Sequence, residues 1–186
     1  MKKFVLPMII ALFATIMFLH APVSATPVYD YNVETMLDRI YSGNPKINFF
    51  NKEYYTYKGA QRCEVHYGDN KRDSLIRFRL GDNNVQRILI SYIFKGRRDV
   101  KYSVINALES TVILATIFTT MGLSMDEVQS LMQANEGKEK VMGSDYVTAN
   151  SYFHNRATVW CATVRRNITL DIEFKNFAFD YYIYSE

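Results

Sequence analysis

The 186-residue sequence has little of what specialised folds and active sites depend on: two cysteines, three histidines, four prolines and one tryptophan. Two cysteines are too few for a disulfide-rich scaffold or a four-cysteine zinc site. With 48% hydrophobic residues, the chain is instead expected to fold around one ordinary hydrophobic core.

The strong catalytic motifs are also missing. The sequence contains no Gly-x-Ser-x-Gly, no His-Glu-x-x-His, no phosphate-cradling glycine loop and no Cys-x-x-Cys, which weighs against the enzyme classes that need them. Carboxylates of hydrolases have no such signature, so a pair such as Glu64 and Asp171 would have to converge in the fold. No cofactor is predicted.

The N-terminus has the three parts of a secretory signal peptide. Lys2 and Lys3 precede an apolar run from Phe4 to Leu19, and small residues place the cleavage site after Ala25. The run is shorter than the ~20 residues that span a bilayer, so no transmembrane segment is expected after processing. The sequence predicts a removed segment, 1–25, and one secreted or periplasmic domain, 26–186.

Export affects how the cysteines and the charge are interpreted. An oxidising compartment favours a disulfide between Cys63 and Cys161, and the alternative is two buried free thiols.

Without Lys2 and Lys3, 20 of the 22 basic residues remain against 19 acidic residues. The exported part is nearly neutral, so no nucleic-acid partner is expected.

The first third of the exported part is predicted to contain a helix and a long strand. From Asn32 to Tyr41 apolar residues recur at helical spacing, with Asn32 as the N-cap, and Gly43-Asn44-Pro45 stops the helix. The segment from Tyr54 to Tyr67 is rich in aromatic and β-branched residues and predicts one strand.

The next two strands form the clearest hairpin, and they run from Ser74 to Leu80 and from Val85 to Phe94. A three-residue loop, Asp82 to Asn84, places Phe78 opposite Ile88 on the core face. The same register places Arg79 opposite Arg87 on the solvent face. This pairing keeps apolar and charged residues on separate faces.

Helical periodicity then returns. The segment from Ser103 to Met121 is apolar around most of its circumference and predicts a buried central helix. Gly122 is its predicted C-terminal cap, and Ser124 and Glu127 have the spacing of a capping box opening a second helix that ends near Ala134. A DNA-reading helix-turn-helix has this outline, but export argues against it.

The last part is predicted to be strands, at about 145–152, 158–164, 168–175 and 177–184. A three-residue loop at Arg165 to Asn167 pairs Val164 with Ile168 and Trp160 with Ile172, which makes Trp160 a core residue. The element order predicts an α+β domain with an antiparallel sheet and helices packed on one side. A weak similarity between the segments that follow Cys63 and Cys161 suggests an internal duplication.

Two further groups of residues are candidates for a site. Glu64 and His66 share one strand face, but the sequence supplies no third metal ligand, so no metal site is predicted. Tyrosine is frequent and is interpreted as half-buried strand packing.

The charge layout carries the functional prediction. Between Lys71 and Lys101 there are nine basic and three acidic residues, a local charge of +6. A non-enzymatic binding module for an acidic protein or an anionic envelope polymer is therefore predicted. The alternatives are a small extracytoplasmic hydrolase-like enzyme, a structural or inhibitor-like domain, and a strand face kept basic only to prevent edge pairing. The predicted binding residues are Arg77, Arg79, Arg87, Arg97 and Arg98.

Overall fold

The computed structural model describes residues 27–69, 74–93, 100–135, 152–175 and 177–185. These residues form a seven-stranded antiparallel sheet and three helices, which confirms the predicted α+β class. The helices are α1 (Val33–Gly43), α2 (Val100–Thr120) and α3 (Met125–Asn135). The strands are β1 (Phe49–Tyr57), β2 (Ala60–Tyr67), β3 (Ser74–Leu80), β4 (Val85–Ile93), β5 (Tyr152–Cys161), β6 (Arg166–Lys175) and β7 (Ala178–Ser185).

The sheet is made of two meanders that meet side by side. Its strand order is β1-β2-β3-β4-β7-β6-β5, so β4 and β7 pair at the junction. The strands β2 to β4 and β5 to β7 occupy matching places about that junction. Cys63 lies within β2, however, whereas Cys161 is the last residue of β5. The alignment behind the suggested duplication is therefore not reproduced.

One face of the sheet carries the core. Alternate residues such as Phe78, Ile90 and Leu170 are fully buried there, together with Met36 of α1 and Ile113 of α2. The other face, called the open face below, carries the intervening residues of the same strands. Alternation at period two thus separates apolar from polar side chains across one layer of backbone.

The three helix caps that the sequence predicts, at the start of α1, the end of α2 and the start of α3, are confirmed. Asn32 Oδ1 accepts the backbone N–H of Thr35 at 3.0 Å at the start of α1. After α2, Gly122 adopts a positive φ of 87° and donates its N–H to Thr119, as in a Schellman ending. Ser124 and Glu127 form the predicted capping box at 2.7 and 3.3 Å.

The prediction that α2 is a buried helix is confirmed on one side only. Ile113 and Phe118 are fully buried against the sheet, but Ile105, Leu108 and Val112 are 43%, 62% and 50% exposed. The helix lies in a single layer on the sheet, so its outer side is left uncovered by the described residues. Among those residues, none of the helices combines the length and hydropathy needed to cross a membrane.

The single strand predicted from Tyr54 to Tyr67 is a hairpin. Lys58 and Gly59 have positive φ values of 50° and 74° and make a two-residue turn between β1 and β2. Two positive φ angles are the requirement of a type I′ turn, whose usual sequences are Asn-Gly or Asp-Gly. Because Lys58 occupies the first turn position, the usual sequence signal was absent and the hairpin was predicted as one strand.

The two predicted hairpin registers had different outcomes. Phe78 pairs with Ile88, and Arg79 pairs with Arg87, as predicted. In the second hairpin, β5 ends at Cys161, and a four-residue turn precedes β6, so Trp160 pairs with Asn167 instead of Ile172. Trp160 therefore lies on the open face and is 59% exposed. Most of the strand predicted at 145–152 lies outside the described residues.

The predicted disulfide is not formed. Cys63 and Cys161 are both buried and free. Their strands are five places apart in the sheet order, which is about 24 Å at the usual strand spacing. A disulfide needs Cα atoms less than about 7 Å apart. Burial raises the pKa of both thiols, that of Cys161 to about 11.

Candidate anion-binding face

The open face is organised in three rows that cross the strands from β2 to β5. The first row contains Arg62, Arg79, Arg87, Tyr184, Thr169 and Thr158. The middle row contains Glu64, Arg77, Leu89, Tyr182, Asp171 and Arg156. The third row contains His66, Leu75, Ser91, Asp180, Glu173 and His154.

The first row begins with three arginines on three neighbouring strands, here called the arginine row. Arg62 is the direct partner of Arg79, and Arg79 is the direct partner of Arg87. At the usual strand spacing the row extends for about 10 Å. It lies at the end of the sheet where the β1–β2 and β3–β4 turns are located.

Tyrosine rings hold two of the three guanidinium groups. Arg62 lies over the Tyr57 ring at 4.6 Å, and Arg87 lies over the rings of Tyr182 and Tyr184 at 4.9 and 4.8 Å. Stacking occupies the flat face of a guanidinium group and leaves its N–H edges free to donate hydrogen bonds. These edges match the two oxygens of a carboxylate or phosphate.

No carboxylate of the described residues neutralises the arginine row. Within the described ranges, the ion pairs of the protein involve other residues, and none includes Arg62, Arg79 or Arg87. Like charges at directly opposed strand positions destabilise a sheet. An anion bound across the three guanidinium groups would remove that repulsion.

Arg77, by contrast, has its own counter-ion. Its Nε donates to Glu64 Oε2 at 2.6 Å, and Tyr55 donates its hydroxyl to the same oxygen at 3.0 Å. Burial lowers the pKa of Arg77, but the hydrogen bond and charge of Glu64 together with Tyr55 outweigh burial, so the net pKa is raised. Glu64 is only 7% exposed. Arg77 was predicted as a binding residue, but the structure places this half-buried side chain in an ion pair with the buried Glu64.

His66 completes this cluster without making a metal site. Its Nε2 lies 3.3 Å from Glu64 Oε1, and its ring stacks on Phe50. In the part of the chain that the structure describes, no group of three metal-ligating side chains exists. The shared face predicted for Glu64 and His66 is therefore found, and the imidazole and the carboxylate are in contact there.

The β5–β7 side of the open face has the opposite charge. His154 Nε2 contacts Asp171 Oδ1 at 2.7 Å, and Arg156 lies over the Tyr184 ring at 5.5 Å. Burial and the neighbouring Asp180 raise the pKa of Tyr182 to about 12. This side carries three carboxylates, one arginine and one lysine, Lys175, whereas the β2–β4 side carries four arginines and one carboxylate. The open face is thus divided into a basic and an acidic half.

The carboxylate pair considered for hydrolysis does not converge. Glu64 on β2 and Asp171 on β6 are four strand positions apart, which is about 19 Å. Glycosidases need their two carboxyl groups roughly 5 to 9.5 Å apart. These two carboxylates therefore cannot act on one glycosidic bond.

The predicted binding residues end up in different environments. Arg79 and Arg87 are exposed and adjacent, Arg77 is paired with Glu64, and Arg97 and Arg98 lie outside the described residues. Sequence reasoning missed Arg62 and its stacking partner Tyr57. The missed β1–β2 turn explains both, because it brings these residues onto one face.

Comparisons with known proteins give no relative from which a function could be inferred. No family model, no curated protein and no solved structure matches this chain.

Proposed function

We propose that this protein is a non-enzymatic binding module outside the cytoplasm that holds an anionic partner on the arginine row. The observation that carries the proposal is the line of Arg62, Arg79 and Arg87 without a counter-ion among the described residues. The N–H edges of arginine bind oxyanions bidentately, and stacking on tyrosine orients two of the three guanidinium groups before the ligand arrives.

The form of the row favours an anionic polymer over an acidic protein. Three positive charges follow one another in a line across the strands, which suits a chain with repeated anionic groups. The carboxylates of the β5–β7 half would repel such a polymer and confine it to the row. An acidic protein segment is the other outcome that the experiment distinguishes.

The proposal is tested with two defined probes, a polyphosphate chain and polyglutamate, by calorimetry at low and moderate salt. The variant with Arg79→Glu and Arg87→Glu should bind polyphosphate at least tenfold more weakly than the unchanged protein. The matched control has Arg39→Glu and Lys46→Glu, which reverse the same charge at two exposed positions of the helical side. Affinity should also fall as salt rises, because counterions compete for the row.

Each result has a definite meaning for the proposal. Equal weakening in the control variant would show that net charge, and no particular face, attracts the polymer. Binding of polyglutamate alone would replace the polymer by an acidic protein. Failure of both probes to bind at low salt would refute the arginine row as an anion site.

Export belongs to the same proposal and has its own measurement. The expected mature mass is that of residues 26–186, after removal of the predicted signal peptide. Intact-mass spectrometry of the protein recovered outside the cytoplasm reads this directly. Recovery of a chain that retains Met1 to Ala25 would contradict it.

A further inference from the structure

The middle row of the open face has a charge order that is complementary to itself. From β2 to β5 the row reads acidic, basic, apolar, aromatic, acidic, basic, in the order Glu64, Arg77, Leu89, Tyr182, Asp171 and Arg156. Leu89 and Tyr182 are direct partners at the β4–β7 junction. The charged positions lie on the next two strands on each side of that centre, β3 and β2 on one side and β6 and β5 on the other.

We propose that two copies of this chain form a dimer through their open faces, with the two-fold axis parallel to the strands and between β4 and β7. Rotation about this axis places each position over its counterpart on the other side of the junction. Arg77 then faces Asp171 of the second copy, and Leu89 faces Tyr182. The remaining charged position, Glu64, faces Arg156.

The charges exclude the other simple two-fold arrangement. An in-plane axis perpendicular to the strands would place every strand over itself. Arg77 would then face Arg77, Glu64 would face Glu64, and Asp171 would face Asp171. Like charges in contact cost several kcal/mol in an interface, so only the axis parallel to the strands fits this row.

The two outer rows are compatible with the same axis. In the first row, Arg79 faces the buried Thr169 and Arg87 faces Tyr184, so neither arginine meets a like charge. In the third row no two carboxylates meet. The arginine rows of both copies lie at the same end of the dimer, at its rim, where an anionic polymer still has access.

The area of the open face is adequate for a dimer. Six strands of about eight residues present roughly 700 Å² per copy at usual strand spacings, against about 800 Å² per partner in a standard interface. Sheets pack face to face with their strands aligned within about 30°, and this axis keeps the strand directions aligned. The helices would cover both outer sides.

Sedimentation of the purified protein from 1 to about 100 µM tests the proposal. The unchanged chain should dimerise. Leu89→Glu should raise the dissociation constant of the dimer at least tenfold, because it places one carboxylate of each copy beside the two-fold axis, facing Tyr182 of the other copy. The control is Leu108→Glu, which places the same charge on the exposed side of α2. Dissociation should increase with salt, since charge pairing contributes to the interface.

A crosslinking arm keeps the test independent of Leu89. Cysteines introduced by Ser91→Cys would lie roughly 11 Å apart across the axis, for sheets ~10 Å apart, within reach of a short bismaleimide. Ser42→Cys on α1 is the control, and the native thiols are buried. A monomer throughout, dimerisation lost only with Leu108→Glu, or equal crosslinking of both cysteine variants would each overturn the proposal. Polyphosphate binding is scored separately, in the unchanged protein and in the Leu89→Glu variant, because that variant retains all three arginines of the row.

Discussion

The two faces of the sheet use the same backbone for different purposes. On the covered face, residues such as Ile88 and Ile90 are fully buried under the helices. On the open face, their neighbours Arg87 and Leu89 are exposed or half-buried, and the charges divide into a basic and an acidic half. Stability therefore depends mainly on the covered face, and the proposed anion binding depends on the open face.

The largest expected effect comes from placing a charge on the covered side. Ile113→Asp buries an unpaired carboxylate in the core and should unfold the domain, at a cost of several kcal/mol. Val112→Asp, one residue earlier on the exposed side of α2, is the control and should cost under about 1 kcal/mol. Thermal melting of both variants measures the difference. Similar melting temperatures would contradict the one-sided burial of α2.

The second prediction concerns an ion pair on the open face that contributes to stability. Glu64→Ala leaves the half-buried Arg77 guanidinium without its counter-ion and should cost about 1 to 3 kcal/mol. Glu53→Ala removes an exposed carboxylate from the directly paired position on β1 and should cost little. Chemical denaturation compares the two. Equal losses would mean that Glu64 acts only as a surface charge.

The contrast between faces also explains what the sequence could predict. The β3–β4 register was predictable because apolar and charged residues alternate without exception from Ile76 to Arg79. The β5–β6 register was not, because Thr158 to Val164 contains apolar residues at both parities. Of the arginine row, Arg79 and Arg87 followed from the correct register, whereas Arg62 depended on the unrecognised turn at Lys58 and Gly59.

A smaller effect is expected at the capping box that fixes α3 beside the β5–β6 turn. Ser124→Ala should cost about 1 kcal/mol by removing the acceptor of the Glu127 N–H. The backbone N–H of Ser124 lowers the pKa of Glu127, so the folded pKa lies below the unfolded pKa. The stabilisation that Glu127 contributes is present above its unfolded-state pKa and is lost as the pH falls through its folded-state pKa. Denaturation of Glu127→Gln against pH should therefore converge with the unchanged protein in acid.

The smallest expected effect is that of a reductant, which should not change stability. Cys63 and Cys161 are free and buried in different meanders. Both should resist alkylation in the folded protein and react in the unreduced, denatured protein. A melting temperature that falls when reductant is added would reveal a disulfide and contradict the described separation of β2 and β5.

Amide and side-chain chemical shifts of the protein with bound polyphosphate test anion binding at the arginine row most directly, because they map the bound anion residue by residue. We expect the shifts to concentrate at Arg62, Arg79 and Arg87 and at the stacked rings of Tyr57, Tyr182 and Tyr184. Arg39 and Lys46, on the helical side, should not respond. Shifts centred on the helical side, or spread over all basic residues equally, would contradict the claim.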